Sequence, residues 1–493
     1  MLHKKKLIFD KWFSLFSAAL CACALYFNTY LTTFAVTDTE SMLEANRAMP
    51  IQSNQVANWP TGPVVGAEAA ILMEVETGAI LYEKNIHMRE YPASTTKILT
   101  SLIVTEQCSM DEIVTFSYDA VFDTPRDSSH IAMDVGQELT MEQCLNAILI
   151  RSANEVSYAV AEHITGTTDW SVFAEMMNER AAELGCLNSH FVNPNGLPDD
   201  DHYTTAYDLA MIGRAFFANE MLCKITLTRR MEFPATDKLP LGKLESNNMK
   251  LIPGGEYAYE YLVGCKTGYT DDARNCLVSC AEKDGMKLIC VVLKDGNPYH
   301  YEDTLNLFAY GFNNFEKVNV AQTETKYNIE NTGLFYSGND IFGSSQPILS
   351  LNKNDYVILP KTADFQDLDS VISYETENEN QAAVITYTYH DVYIGSVSLN
   401  FAGNQENSSS LFNISEDESD VAEVKDTSYI FINIIKILGV LIAAAVVGFI
   451  VLLIKLFLKN YELGGHGRRA WKKASRHRRK KIRGSGKFRD YDF

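Results

Sequence analysis

Positive charge is scarce in the body of this chain. Its 493 residues hold 43 Lys and Arg against 63 Asp and Glu, a net charge of −20. Twelve of the basic residues lie after Asn460, where only Glu462, Asp490 and Asp492 oppose them. The remainder is therefore more acidic still, which excludes a nucleic-acid-binding body that must meet phosphates with a basic face. The cysteines lack the compact spacing of a disulfide framework. Eight of the ten (Cys108, Cys144, Cys186, Cys223, Cys265, Cys276, Cys280 and Cys290) fall between residues 37 and 428. Several take the place of small apolar residues in periodic segments and read as buried free thiols. No spacing resembles a closed zinc site, so neither metal nor cofactor is expected. No convincing internal repeat is present.

Both ends carry long uncharged runs. Lys4–Lys6 and Lys11 precede a run without charge from Trp12 to Val36, apolar enough over Trp12–Leu25 for a signal h-region. Thr33-Phe34-Ala35 offers small residues for cleavage, so residues 1–36 read as a signal peptide, with a retained anchor as the alternative. Ile437–Ile454 is uncharged and flanked by Lys436 and Lys455, the pattern of a transmembrane helix within residues 429–458. The basic tail, 459–493, marks the cytoplasmic side. The body is thus expected to face outward at the cell membrane.

Between these ends the texture changes in blocks. Residues 37–64 look like a linker, with Pro50, Pro60 and Pro63. Residues 65–315 open with a hairpin around Thr77-Gly78. Helices follow, one of them announced by a capping box at Thr140-x-x-Gln143, and strands return from Tyr261. This order predicts an α+β domain with helices packed on an antiparallel sheet. Residues 318–402 alternate in short runs separated by Gly, Asn and Asp, as a small all-β domain would. Residues 403–428 are Ser-, Asn- and acid-rich, a stalk to the membrane.

Three short strings carry the chemistry: Ser94-Thr-Thr-Lys97, Ser152-Ala-Asn154 and Lys266-Thr-Gly268. Singly they are weak. Ser-x-x-Lys recurs at Ser350–Lys353, and Ser-x-Asn at several positions, Ser246–Asn248 and Ser398–Asn400 among them. Context decides among them. Ser94 starts a helix, where its backbone N–H can donate to a developing oxyanion. Lys97 lies one turn on and heads an apolar run, so it is buried, and desolvation makes it a base toward Ser94. Ser152 and Asn154 follow a buried helix at a loop, where a hydroxyl can pass a proton and an amide can hold a carbonyl or Lys97. Lys266-Thr-Gly268 is read as ending a strand. Gly268 there admits another backbone to the edge, while Lys266 and Thr267 bind a carboxylate.

These residues resemble the low-molecular-mass penicillin-binding D-alanyl-D-alanine carboxypeptidases, whose signature is this trio in this order. The similarity extends to Ala69–Lys84, Pro92–Lys97, Asn193–Leu197, His202–Asp208 and Gly264–Thr270. It implies a transpeptidase-like fold of the penicillin-binding and β-lactamase kind, with β-lactams as covalent inhibitors. It also implies that Ser94 attacks the penultimate D-Ala carbonyl of a peptidoglycan stem pentapeptide while Lys97 takes its proton. Ser152 would protonate the leaving D-Ala, Asn154 orient substrate and Lys97, and the N–H groups of Ser94 and Tyr269 form the oxyanion hole. Asn195 departs from the family's usual His. No Arg occurs between Lys294 and Lys317, where many members supply a second carboxylate-binding cation, and Arg274 is the expected substitute. The rival readings are a serine β-lactamase and a weakly catalytic wall-binding or β-lactam-sensing ectodomain.

Overall fold

A computed structural model describes residues 39–327, 349–376 and 381–401. The proposed signal, stalk, membrane span and basic tail lie outside these residues. Among the described residues no helix is long and apolar enough to cross a membrane.

A five-stranded antiparallel sheet forms the frame. Its strands are β1 (Ala69–Glu74), β2 (Ile80–Lys84), β7 (Leu262–Thr270), β8 (Arg274–Lys283) and β9 (Met286–Asp295), in the order β2-β1-β9-β8-β7. The run Leu288-Ile-Cys-Val-Val-Leu293 is wholly apolar because both faces of β9 are covered. Ile289, Val291 and Leu293 join one core, and Leu288, Cys290 and Val292 join the other, as the two-residue period of a strand requires.

The first core holds most of the helices. After α1 (39–47) come α2 (Lys97–Gln107), α3 (Tyr118–Phe122), α4 (Met141–Ile150), α5 (Asn154–Thr165), α6 (Trp170–Glu183), α7 (Ala206–Ala218) and α8 (Glu220–Leu227). Two small hairpins, β3 (Ile113–Thr115) with β4 (Glu138–Thr140) and β5 (Arg230–Phe233) with β6 (Lys243–Ser246), sit among them. Residues 97–104 of α2 are all buried, the mark of a helix surrounded by others. The capping box is present: Gln143 N–H donates to the Thr140 hydroxyl, and Thr140 N–H to the Gln143 side chain.

The second core lies under α9 (Tyr299–Asn314) and runs into the β-region. There β10 (Phe315–Asn319) pairs with β12 (Tyr356–Pro360), with α10 (Val320–Thr323) between them in sequence. A four-stranded sheet orders β11 (Leu349–Leu351), β15 (Val392–Phe401), β14 (Gln381–Tyr389) and β13 (Asp369–Ser373) as β11-β15-β14-β13. The architecture is thus α+β with a small β-sheet domain after it.

Two sequence expectations are revised. The segment read as a linker packs onto the sheet: Leu43 and Trp59 are buried, and Trp59 Nε1 donates to the Leu81 carbonyl. Lys266-Thr-Gly268 does not end its strand, because β7 continues to Thr270 through pairing with Arg274.

Tyr356 ties the β-region to the frame. Its hydroxyl lies 2.9 Å from Glu74 Oε1 and 2.6 Å from Glu76 Oε2, and Lys317 Nζ stands 3.6 Å over its ring. Removing the hydroxyl strips buried Glu74 of a donor. Tyr356→Phe should therefore lower unfolding stability by about 1–3 kcal/mol with the fold intact, read from denaturant midpoints.

Candidate active site

The three strings converge. Pro92 leads into a single 3-10 turn, Ala93–Thr96, which carries Ser94 and passes directly into α2 at Lys97. Ser152 sits in the bend between α4 and α5, and Asn154 is the first residue of α5. Lys266, Thr267 and Gly268 lie on β7, the edge strand beside that turn. Ser94, Ser152, Asn154, Thr267, Gly268 and Tyr269 line one open cleft of about 700 Å³.

Lys97 is the centre of the arrangement. It is completely buried, and its Nζ reaches Ser94 Oγ at 3.0 Å, Asn154 Oδ1 at 2.6 Å and the Asn195 carbonyl at 2.6 Å. Burial, reinforced by the charge of Lys266 and opposed by Glu155, holds its pKa well below the usual lysine range. A neutral amine has two N–H donors and one lone pair. Asn154 Oδ1 and the Asn195 carbonyl can only accept, so they take both donors. Charged Lys97 donates to Ser94 Oγ as well; in the neutral form the lone pair is left for Ser94, whose hydroxyl can then donate to it. This set of contacts suits a general base toward Ser94.

Lys266 is buried too, and its Nζ donates to Ser152 Oγ at 3.1 Å and to the Thr267 carbonyl at 2.7 Å. Burial lowers its pKa to about 8, which leaves it largely charged at neutral pH. One lysine is thus suited to accept a proton and the other to hold a positive charge.

Two residues of the site hold a strained backbone. Ala93 has φ +47° and Ser152 φ +58°, both in the region that favours glycine, at an expected ~1–3 kcal/mol each. The Ala93 turn is held from several sides. Its carbonyl accepts from Thr96 Oγ1 at 2.8 Å, and Thr96 Oγ1 in turn lies 2.9 Å from His202 Nε2. Val192 N–H donates to His202 Nδ1, which places the ring proton on Nε2, facing Thr96. Burial pushes His202 down to about 3, so the ring stays neutral. Gly268 contributes by its missing side chain: a Cβ there would lie 2.8 Å from Pro92 O and 2.9 Å from Ser94 N. Gly196, at φ +80°, comes closer still, since a Cβ would fall 1.8 Å from the Ala93 carbonyl oxygen.

Several participants escaped the sequence reading. The Asn195 carbonyl is one, and so are His202 and Gly196 in their supporting roles. Lys250 is another. It follows β6 and lines the Ser94 cleft with His300 and Tyr301. Its Nζ pairs with Glu256 at 2.7 Å and lies 6.0 Å from the centre of the Tyr301 ring. Arg274, the expected second cation, lines a neighbouring cavity with Glu68, Glu90 and Lys294. Tyr269 does line the Ser94 cleft, with its side chain half exposed.

Comparison with known proteins meets this geometry at residues 56–297, which match the family model described as D-alanyl-D-alanine carboxypeptidase. Those residues, just under half of the chain, are similar to that family. It is 34% identical over 241 residues to the D-alanyl-D-alanine carboxypeptidase DacF of Bacillus subtilis, covering 47% of this chain and 58% of that protein. It is 29% identical over 259 residues to DacB2 of Mycobacterium tuberculosis, also named a D-alanyl-D-alanine carboxypeptidase, covering 51% of this chain and 84% of that one. The fold also matches the crystal structure of penicillin-binding protein 5 from Haemophilus influenzae. There the TM-score is 0.55 at 24% identity, covering 69% of this chain and 98% of that one, a likeness of fold alone.

The two lysines set an expected pH dependence. The second-order rate of acylation by penicillin should rise with pH as Lys97 loses its proton, through a pKa below the ordinary lysine value. It should fall again as Lys266 loses its charge near about 8. Lys266→Arg should move the alkaline limb upward, because arginine stays charged. A wild-type rate that keeps climbing through about pH 10 would contradict this assignment of roles.

Proposed function

We propose that this protein is a serine D-alanyl-D-alanine carboxypeptidase that removes the terminal D-Ala from peptidoglycan stem pentapeptides. The observation that carries the reading is the convergence of Asn154 Oδ1, the Asn195 carbonyl and Ser94 Oγ on the buried Lys97 Nζ, at 2.6, 2.6 and 3.0 Å.

In this reading Ser94 Oγ attacks the penultimate D-Ala carbonyl as its proton passes to Lys97. The oxyanion accepts from the backbone N–H groups of Ser94 and Tyr269, whose chains Gly268 brings together. The C–N bond breaks, and the proton that Lys97 took from Ser94 passes through Ser152 to the leaving amine, which returns Lys97 to its neutral form; Lys266 Nζ, 3.1 Å from Ser152 Oγ, keeps its charge. Lys266 and Thr267 hold the carboxylate of the departing residue. Water then attacks the ester, Lys97 takes its proton, and Ser94 recovers its own. β-Lactams acylate the same serine. The charge pattern around Ile437–Ile454 supports a membrane-tethered body facing the wall.

Mass spectrometry tests the reading directly. The purified protein should release D-Ala from a diacetyl-Lys-D-Ala-D-Ala peptide and carry a lasting penicillin adduct on Ser94. Ser94→Ala should lose both. Rapid penicillin turnover without D-Ala release would favour a β-lactamase, and an adduct without D-Ala release a sensor.

The second carboxylate-binding cation is assigned to Lys250, because it lines the Ser94 cleft and Arg274 lines the next cavity. Lys250→Ala should raise KM for the peptide about tenfold, roughly 1.4 kcal/mol, with kcat little changed. Arg274→Ala should change KM less than about twofold. The reverse order of effects would return the role to Arg274.

A further inference from the structure

Away from the cleft, Cys108, Glu112 and His163 bring a thiol, a carboxylate and an imidazole together, with their ligand atoms all within 4.8 Å of one another. Sequence spacing hides the group because His163 is 51 positions beyond Glu112. Three separate elements supply it. Cys108 caps the C-terminus of α2, Glu112 leads into β3, and His163 lies in the last turn of α5.

The surroundings favour a cation independently of the ligands. The C-terminal ends of α2 and α5 converge here, and each presents the negative pole of its helix dipole. Glu112 is already oriented: its Oε1 accepts from Ser109 N–H at 2.6 Å, while its Oε2 meets His163 Nε2 at 2.8 Å. The backbone beside it is anchored, since Met141 N–H donates to the Glu112 carbonyl. All three side chains are half-buried or exposed at the surface, so an ion can enter and a water can complete its shell.

We infer that Cys108, Glu112 and His163 form a zinc site with one position open to water. Sulfur, imidazole nitrogen and carboxylate oxygen make a donor set that suits zinc, which accepts four ligands tetrahedrally. On binding, the Cys108 thiol gives its proton to solvent, the His163 proton that faces Glu112 leaves Nε2 for Nδ1 or solvent, and the His163–Glu112 contact is replaced by two bonds to the metal. The consequence is mechanical. The first residues of α2 and α5 are Lys97 and Asn154, which are joined at 2.6 Å. The metal would join the far ends of the same two helices, about 16 Å away. The pair that sets the base would then be fastened at both ends, with the metal remote from Ser94.

The test uses the full-length protein in detergent after chelator treatment. One equivalent of Co²⁺ should produce the near-ultraviolet sulfur-to-cobalt band, and Zn²⁺ should abolish it. Saturating Zn²⁺ should raise Tm by on the order of 5 °C. Cys108→Ser should remove both the band and the Tm shift, with penicillin acylation of Ser94 kept within about twofold of wild type. Glu112→Gln and His163→Ala should each weaken cobalt binding at least about tenfold, and they carry the test should Cys108→Ser fail to fold. A wild-type protein with no sulfur-to-cobalt band, or a band that survives in a folded Cys108→Ser protein, would overturn the site.

Discussion

Burying one lysine amine against two carbonyl oxygens is the constraint on which this structure turns. Lys97 is satisfied in its buried position because Asn154 Oδ1 and the Asn195 carbonyl each come within 2.6 Å of its Nζ. That requirement sets the start of α5, the course of the 193–197 loop and the placement of α2 through the middle of the helical core. The surrounding helices desolvate the amine, and Lys266 on the edge strand adds a second positive charge that keeps the proton off it. Packing and chemistry are therefore one problem here, since the core that stabilises the fold also lowers the lysine's affinity for its proton.

The strained turns show the same economy. Ala93 and Ser152 stand in unfavourable backbone conformations on either side of the base. Ala93 is held by Thr96, His202 and the close approach of Gly196, none of which touches Ser94 Oγ in the contacts described. Such support determines where the hydroxyl points before substrate arrives, so little reorganisation is left for the reaction itself.

What was legible in the sequence follows from the range of each interaction. Ser94 and Lys97 are one helical turn apart, and the Thr140 capping box spans four residues, so both could be read locally. The continuous apolar run that marks β9 is equally local. The Asn195 carbonyl was not legible, because a backbone oxygen carries no side-chain signal and reaches Lys97 across 98 positions. Lys250 was missed for a similar reason. It looks like any surface lysine until the fold turns it toward the cleft. The linker reading of residues 37–64 failed because irregular segments lack periodicity even when, as at Leu43 and Trp59, they are packed. The family resemblance supplied the roles of Ser152 and Tyr269, and the fold supplied the proximity those roles need.

Edge strands invite a further strand to pair with them, and β7 is such an edge. Gly268 lets the nucleophile turn close over the face of that strand near its end, where any side chain would collide with Pro92 and Ser94. The turn therefore uses the face of β7 and not its row of backbone donors and acceptors. The same missing methyl group that draws the serine to the strand leaves the edge beside it for an extended chain to pair with. One glycine thus sets the reacting hydroxyl next to a docking rail without spending the rail.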